Sequence, residues 1–490
     1  MKIQNQTKTV SLSAQIEQEF DQENQVEKQT FKIGKSQISV FYIESMIDKK
    51  LLSSGVLFPL ERFSANEQNQ NVKDLKQAIK AEVVAISSVV VSKNKNEIIK
   101  NIYQGFAVIV VDNEAICCPL YGVSKRSIDE PPNSRVVKGP REGFVEDIYS
   151  NIGLIRKRLQ TTNLKIIDMF VGKQTNTQVS IFYMQDIAKK EVVEEVQKRI
   201  KMIDIDAIID SYYIESFLEG KNLKFFRRVG NTEKPDIFCA KILEGRVGIL
   251  VNGSPVALTV PFILLEDLQS AEDYYNIPAM ATFARTMRII GLIFAILIPG
   301  VYVALQSYNY RILPINFLIT LLSSIEGLSI PPLVEILIVL FLFEVITEAS
   351  LRMPNSLGMA LSIIGALALG NTAVDAGIIS PPSIVVVAIS SVALYIIPDQ
   401  ISETRILRVL FTAIGGIIGL YGVLTAFILL TTYLCSILSF GVPYMAPFAP
   451  SIKIDKKDAF IKSTIQDMKK RPVLIADKNK VRQGDDGYDS

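Results

Sequence analysis

The stretch LVEILIVLFLFEVITEASLRMPNSLGMALSIIGALALGNTAVDAGIISPPSIVVVAISSVALYIIP, Leu333–Pro398, decides the fold. It combines membrane-grade hydrophobicity with carboxylates inside an apolar run, and a Ser-Pro-Pro break divides it at Ser380. A charge near a bilayer centre costs at least about 2.5 kcal/mol, so Glu335, Glu344, Glu348 and Asp375 each need a protein partner, water or an ion. A membrane domain with polar work inside it follows.

Helical spacing sorts these acids. Glu344, Glu348 and Arg352 fall at i, i+4 and i+8, so Glu348 reads either as a salt-bridge partner of Arg352 or as an ion ligand. Glu335 lies on roughly the opposite face and follows Pro331-Pro332 closely enough to be a first-turn acid on the helix dipole. Met353 to Val374 is charge-free, with Gly358, Ser362, Ala366 and Gly370 at steps of four. Such a stripe fits close helix packing. In an oligomer it equally fits a narrow pore, with Ile363, Ile364 and Leu367 as a hydrophobic gate and Asn371 and Asp375 as its polar exit.

Upstream, Arg285 and Arg288 precede IIGLIFAILIPGVYVAL (Ile289–Leu305), an uncharged run just long enough to span. Ile312 to Ile346 is broken at Ile330-Pro331-Pro332 and reads as a re-entrant or interface-lying helical pair, with a tilted span as the alternative. Downstream, Ala376 to Pro398 is uncharged, and Val409 to Ile452 holds no charge at all, with Gly415, Gly419 and Gly422 as a further close-packing face. Its FGVPYMAPFAP end is incompatible with helix.

The totals agree. A chain of 490 residues with 49% hydrophobic residues and mean hydropathy +0.29 is too apolar for an ordinary soluble protein. Charges are dense before Arg288 and again after Lys453, which places a soluble head before the membrane domain and a short basic tail after it. The net charge of +2 carries no sign of nucleic acid. A polar N-terminus without a secretory signal predicts a cytoplasmic head, and the basic tail predicts a cytoplasmic C-terminus.

The chain contains no histidine, which removes Ser-His and Cys-His nucleophile pairs and most zinc chemistry, so a non-enzymatic protein is expected. Cys117 and Cys118 are adjacent on a predicted strand and point to opposite faces. With Cys239 and Cys435 they make no metal-ligand spacing, and reduced, buried thiols are expected, with no metal or cofactor. Gly34-Lys35-Ser36 lacks the upstream glycine of a phosphate loop.

The head contains an internal duplication. QISVFYIESMIDKK (from Gln37) matches QVSIFYMQDIAKKE (from Gln178), and QGFAVIVVDNEAICCPL (from Gln104) matches EGRVGILVNGSPVALTV (from Glu244), both at an offset of about 140 residues. Each copy reads as a strand, a helical stretch and a hairpin. Asn96–Tyr103 and Val193–Met202 supply the predicted helices. Between the copies, Phe144, Ile148, Ile152, Ile155 and Leu159 recur at helical spacing and end in Arg156, Lys157 and Arg158. That element is either a linker whose basic end complements its dipole or one that docks beside the membrane.

The expected architecture is an α-helical multi-pass membrane domain preceded by a cytoplasmic α/β domain of two duplicated subdomains. Its predicted divisions are a mobile extension (1–29), subdomain 1 (30–130), a linker helix (131–160), subdomain 2 (161–288), a transmembrane domain of about four to six helices (289–450) and a tail (451–490).

Three stretches carry a family resemblance: GPREGFVEDIYSNIGLIRKRL, SIPPLVEILIVLFLFEVITEASLRMPNSLGMALSIIGALALGNTAVDAGIISPP, and FGVPYMAPFAP. Together they resemble the A subunits of spore germination receptors, the GerA family of endospore-forming bacteria, from about Ile38 to Pro450. The resemblance implies a multi-pass subunit of the inner spore membrane working with a transporter-like B subunit and a lipoprotein C subunit. It further implies a ring-shaped homo-oligomer with an ion path that opens when nutrient is sensed. It leaves open which helix lines the path; the residues themselves nominate Leu357 to Asp375. A paralogue, stage V sporulation protein AF, shares the architecture and is the alternative, as is a substrate transporter, although no inverted repeat is found in the membrane part.

Overall fold

The computed structural model describes residues 11–20, 26–33, 36–66, 75–79, 89–120, 138–220, 225–326, 328, 330–352, 372–477 and 479–484. They fall into two compact units. The first comprises Met1–Asn222, Val229–Pro261 and Lys469–Ser490, and the second Leu223–Arg228 and Phe262–Met468.

The first unit is built on two antiparallel sheets of five strands. Strands β1 (Val26–Ile33), β2 (Ser36–Ile43), β3 (Val90–Ser92), β4 (Phe106–Val111) and β5 (Glu114–Pro119) stand in the order β1-β2-β4-β5-β3. Strands β6 (Leu164–Val171), β7 (Thr177–Met184), β8 (Gly230–Thr232), β9 (Val247–Val251) and β10 (Ala257–Val260) stand in the order β6-β7-β9-β10-β8. The two orders are the same, and the matching sequence pairs occupy β2 and β7 and the hairpins β4-β5 and β9-β10. In the first hairpin Val111 pairs with Glu114, which leaves Asp112-Asn113 as the turn, and Asp112 takes φ +54°. A two-residue turn of this hand is what Asp and Asn tolerate.

Period-two patterning buries both faces of the first sheet. Ile38, Val40, Ile109, Ile116 and Cys118 join one core, while Phe41, Ile43, Val108, Val110 and Cys117 join the other. The adjacent cysteines thus face opposite layers, and both are buried. One layer is closed by helix α1 (Leu12–Phe20) and helix α2 (Lys95–Tyr103), whose Leu12, Ile16, Phe20, Ile98 and Ile102 pack on it. The expectation that residues 1–29 form a mobile extension is therefore corrected at 12–20 and 26–29. Leu12, Ile16 and Phe20 repeat every four residues and bury a face, and β1 pairs with β2 through all eight of its residues. As an edge strand β1 keeps polar side chains, which hides it in the sequence.

Helix α3 (Ile148–Arg158) starts four residues later than the apolar repeat suggests, because Asp147 caps it by accepting a 2.9 Å hydrogen bond from the Ser150 N–H. Phe144, Ile148, Ile152 and Ile155 enter the core of the second sheet with Phe182 and with Phe238 and Ile242 of helix α4 (Pro235–Leu243). Arg156, fully buried, lies over the Tyr103 ring with 5.1 Å between guanidinium and ring centre. The element is thus packed against both subdomains. The C-terminal segment also returns here: Ala476 belongs to the second core, and the Asp477 N–H donates to the Ile187 carbonyl at 2.8 Å.

The second unit is helical: α5 (Pro278–Ser307), α6 (Ile315–Ile325), α7 (Pro332–Arg352), α8 (Pro381–Leu394), α9 (Ile401–Ile418) and α10 (Leu420–Ser436). Its start differs from the expected boundary at Arg288. Phe226, Phe262, Phe411 and Tyr444 share one core, which draws 225–228 and 262–288 into this unit. Similarly 451–468 belongs to the helical unit and the rest of the expected tail to the α/β unit.

α5 and α9 cross closely. A Cβ added at Gly300 would lie 2.5 Å from the Phe411 carbonyl oxygen, so only glycine permits this approach. Gly415 takes part in the crossing, whereas Gly419, at φ +78°, ends α9 and starts α10. Val409 to Ile452 is thus two helices and a hairpin, Leu438–Ser439 against Val442–Pro443. Among the described residues α5 alone is a single helix long and apolar enough to cross a membrane. The α8 and 398–418 helices pass together but are bent by 110°. α10 is apolar and shorter, at 17 residues. α7 carries three carboxylates and Arg352 within 21 residues.

Candidate functional site

The helical unit positions three of the four expected acids on α7, and each meets a different environment. Glu335 sits in the first turn and is 2% exposed. It accepts hydrogen bonds from the Ser380 N–H and hydroxyl, both at 2.7 Å, at the start of α8. The carboxylate therefore caps a neighbouring helix, where the dipole favours negative charge. Ser380 and Ser383 hydroxyls are 2.9 Å apart, and Ser383 lies 3.5 Å from the Tyr302 hydroxyl of α5. No Lys or Arg lies within ion-pair distance of Glu335 among the described residues.

Glu344 meets α9 instead. Its carboxylate is 2.8 Å from Arg405 Nε and 3.4 Å from Arg408 Nη2. Arg408 is 2% exposed and also donates to the Ser391 hydroxyl at 3.0 Å and, more weakly, to Ser390 at 3.4 Å. Glu348 pairs with Arg352 one turn on, at 2.6 Å, and both remain exposed. Asp375 is exposed on a short turn of helix with no partner among the described residues. The four acids therefore do not converge on one site. The gate candidates Ser362, Ile363, Ile364, Ala366, Leu367, Gly370 and Asn371 lie outside the described residues.

Two charged networks at the entrance of the unit escape a reading by sequence alone. Asp273 accepts from Arg285 Nε at 2.9 Å and from Arg288 Nη2 at 2.7 Å, and Arg285 Nη1 also reaches Asp458 and the Ala459 carbonyl. Burial pushes the Asp273 carboxyl up, but hydrogen bonds from Arg288, Arg285 and the Ser270 N–H outweigh it and hold it below the usual range. In the second network Arg227 contacts Asp267, which also accepts from Gln400 at 2.8 Å. Burial pushes the Asp267 carboxyl up to about 6, against the pull of Arg227 and Gln400. For the first network the sequence signal was present in RTMR, a basic pair at i, i+3 beside an apolar run, but Asp458 lies 173 residues away from Arg285.

A single family match reaches across both units. The model of the Bacillus/Clostridium GerA spore germination protein family covers residues 14–474. The chain belongs to the GerA family. Among relatives of this GerA protein, spore germination protein KA of Bacillus subtilis is 33% identical over 96% of this chain and 88% of its own. A B. subtilis membrane protein, YfkQ, is 32% identical over 88% of this chain and 84% of its own. Among solved structures, the N-terminal domain of the A subunit of a Bacillus megaterium spore germinant receptor is 26% identical. It covers 50% of this chain and 92% of that domain, with a TM-score of 0.39.

Proposed function

We propose that this GerA protein is the A subunit of a nutrient-gated germination receptor in the inner spore membrane. The observation that carries the reading is the family match across both the α/β and the helical unit, residues 14–474, joined to relatives named as spore germination proteins. The helical unit suits such a role: an apolar 30-residue helix packs beside helices whose carboxylates are bonded or paired inside the unit. In this reading the chain spans the membrane several times with both termini cytoplasmic. It joins a transporter-like B subunit and a lipoprotein C subunit, and it oligomerises around a cation path lined by Leu357 to Asp375.

Ile364 and Leu367 then form the constriction, and shrinking either one wets it. Spores carrying Ile364→Ala or Leu367→Ala are expected to lose cations without nutrient, measured as potassium efflux from unstimulated spores. Resting efflux equal to wild type in both variants would refute this helix as the gate.

A further inference from the structure

The Glu344 cluster carries one positive charge in excess. Arg405 and Arg408 share this single carboxylate, and no second acid pairs with either among the described residues. Ser390 and Ser391 offer Arg408 neutral oxygens but no counter-charge. Arg408 is sealed, whereas the Arg405 side chain is 22% exposed and its Nη1 and Nη2 donate to no described residue. Charges in apolar surroundings are paired, so the excess is left to be met from outside at Arg405. Its depth follows from the helices. Arg288 donates to the Leu268 carbonyl at 2.7 Å and Gln400 to the adjacent Asp267, which sets the start of α9 level with the arginines that precede the apolar part of α5. Arg405 lies five residues past Gln400, about 8 Å along α9. Glu348 and Arg352, beyond Glu344 on α7, form an ion pair that stays exposed, as befits a polar boundary. Phe341 and Val345 of α7 and Ile406, Val409 and Leu410 of α9 are exposed apolar side chains.

From this geometry we infer that Arg405 holds the phosphate of an anionic phospholipid, whose acyl chains lie along the exposed apolar side chains of α7 and α9. Charge selects the headgroup. A phosphodiester supplies the missing negative charge, while a zwitterionic lipid brings its own cation and leaves the excess in place. Geometry selects the oxygen pair: Glu344 lies against Nε, 2.8 Å away, so the Nη edge of the guanidinium remains for two parallel hydrogen bonds to phosphate. Depth selects a lipid over a dissolved anion, because apolar side chains flank the charge and basic sites between membrane helices take phospholipid headgroups. The inference rests on the reading that the helical unit lies in a membrane, and it does not depend on the ion path.

The test reconstitutes the full chain in nanodiscs of equal parts phosphatidylglycerol and phosphatidylcholine and counts the lipids that stay bound by native mass spectrometry. Phosphatidylglycerol should be retained about fivefold over phosphatidylcholine, the factor that one basic residue at an anionic surface supplies. Arg405→Gln should bring that ratio close to one while the thermal melt stays cooperative. Arg405→Lys, which keeps the charge and loses the two-pronged geometry, should keep part of the preference. Arg352→Gln removes an exposed charge on the same side and should leave the ratio unchanged; an equal drop there would mean general surface charge and overturn the site. Inorganic phosphate in excess should not displace the lipid, and displacement by it would reassign Arg405 to a free anion. A chain that enters nanodiscs of either lipid alone yet retains both lipids equally from the mixture overturns this inference only. A chain that enters neither refutes the membrane reading, and the inference with it.

Discussion

Two buried aspartates in the helical unit titrate in opposite senses, and the sign follows from their partners. Asp273, held low by two arginines, contributes stability that is present above about pH 4 and lost on acidification below it. Asp267, pushed up to about 6, behaves in reverse. Between about pH 4 and pH 6 the folded chain keeps a proton that the unfolded chain has released, so stability falls as pH rises through that window. Asp267→Asn is expected to flatten the slope, worth up to about 3 kcal/mol at full burial, in thermal melts of the detergent-solubilised chain across that range. An unchanged slope would mean that Arg227 keeps Asp267 ionised throughout. Burial ranks the acids of α7 in the same way. Glu344→Gln leaves the 2% exposed Arg408 short of its counter-charge and should cost about 1–2 kcal/mol, below the usual buried-pair loss because Glu344 is 37% exposed. Glu348→Gln breaks an exposed i, i+4 pair and should cost under about 0.5 kcal/mol. Melts of the two variants in one detergent compare them directly.

Among elements, the crossing of α5 and α9 is the tightest constraint. Alanine at Gly300 or Gly415 drives a Cβ into the facing helix backbone, which cannot yield as a flexible side chain can. Overpacking of this kind costs about 1–3 kcal/mol, so each substitution should lower the melting temperature by several degrees. A melt unchanged by Gly300→Ala would show that the helices stand further apart. Gly415 was legible in the sequence as a packing residue, but Gly300, twenty-two residues into α5 beside Pro299, carried no periodic signal. The same contrast holds in the α/β unit. Strands β2 and β7 and both hairpins were readable because long apolar runs recur at one offset. The edge strand β1 was not, because VEKQTFKI is mostly polar, and β3 and β8 were not, because three residues carry no period. Glu344 meeting Arg405 across 61 positions is a product of tertiary packing that local spacing does not encode.

At the scale of the molecule, the chain leaves the α/β unit at Pro261, builds the helical unit and comes back at Lys469. The return is a built contact. Ile475 and Ala476 are 3% and 1% exposed, Ala476 sits among Ile187, Phe238 and Ile242, and Arg471 Nε donates to the Leu243 carbonyl at 2.9 Å. Gly245 is held at φ +103° beside this segment, and a Cβ there would come within 3.1 Å of the Ala476 Cα. A charged, short C-terminal run reads as a solvated tail because the five-residue apolar stretch Pro472–Ala476 in a basic context is too short to give a periodic signal. Truncation after Met468 is expected to uncover the second core and lower the melting temperature of the α/β unit. Ile475→Asp, which buries a charge in the same contact, should reproduce the truncation without shortening the chain. If truncation and Ile475→Asp both melt like wild type, the segment does not stabilise the domain it joins.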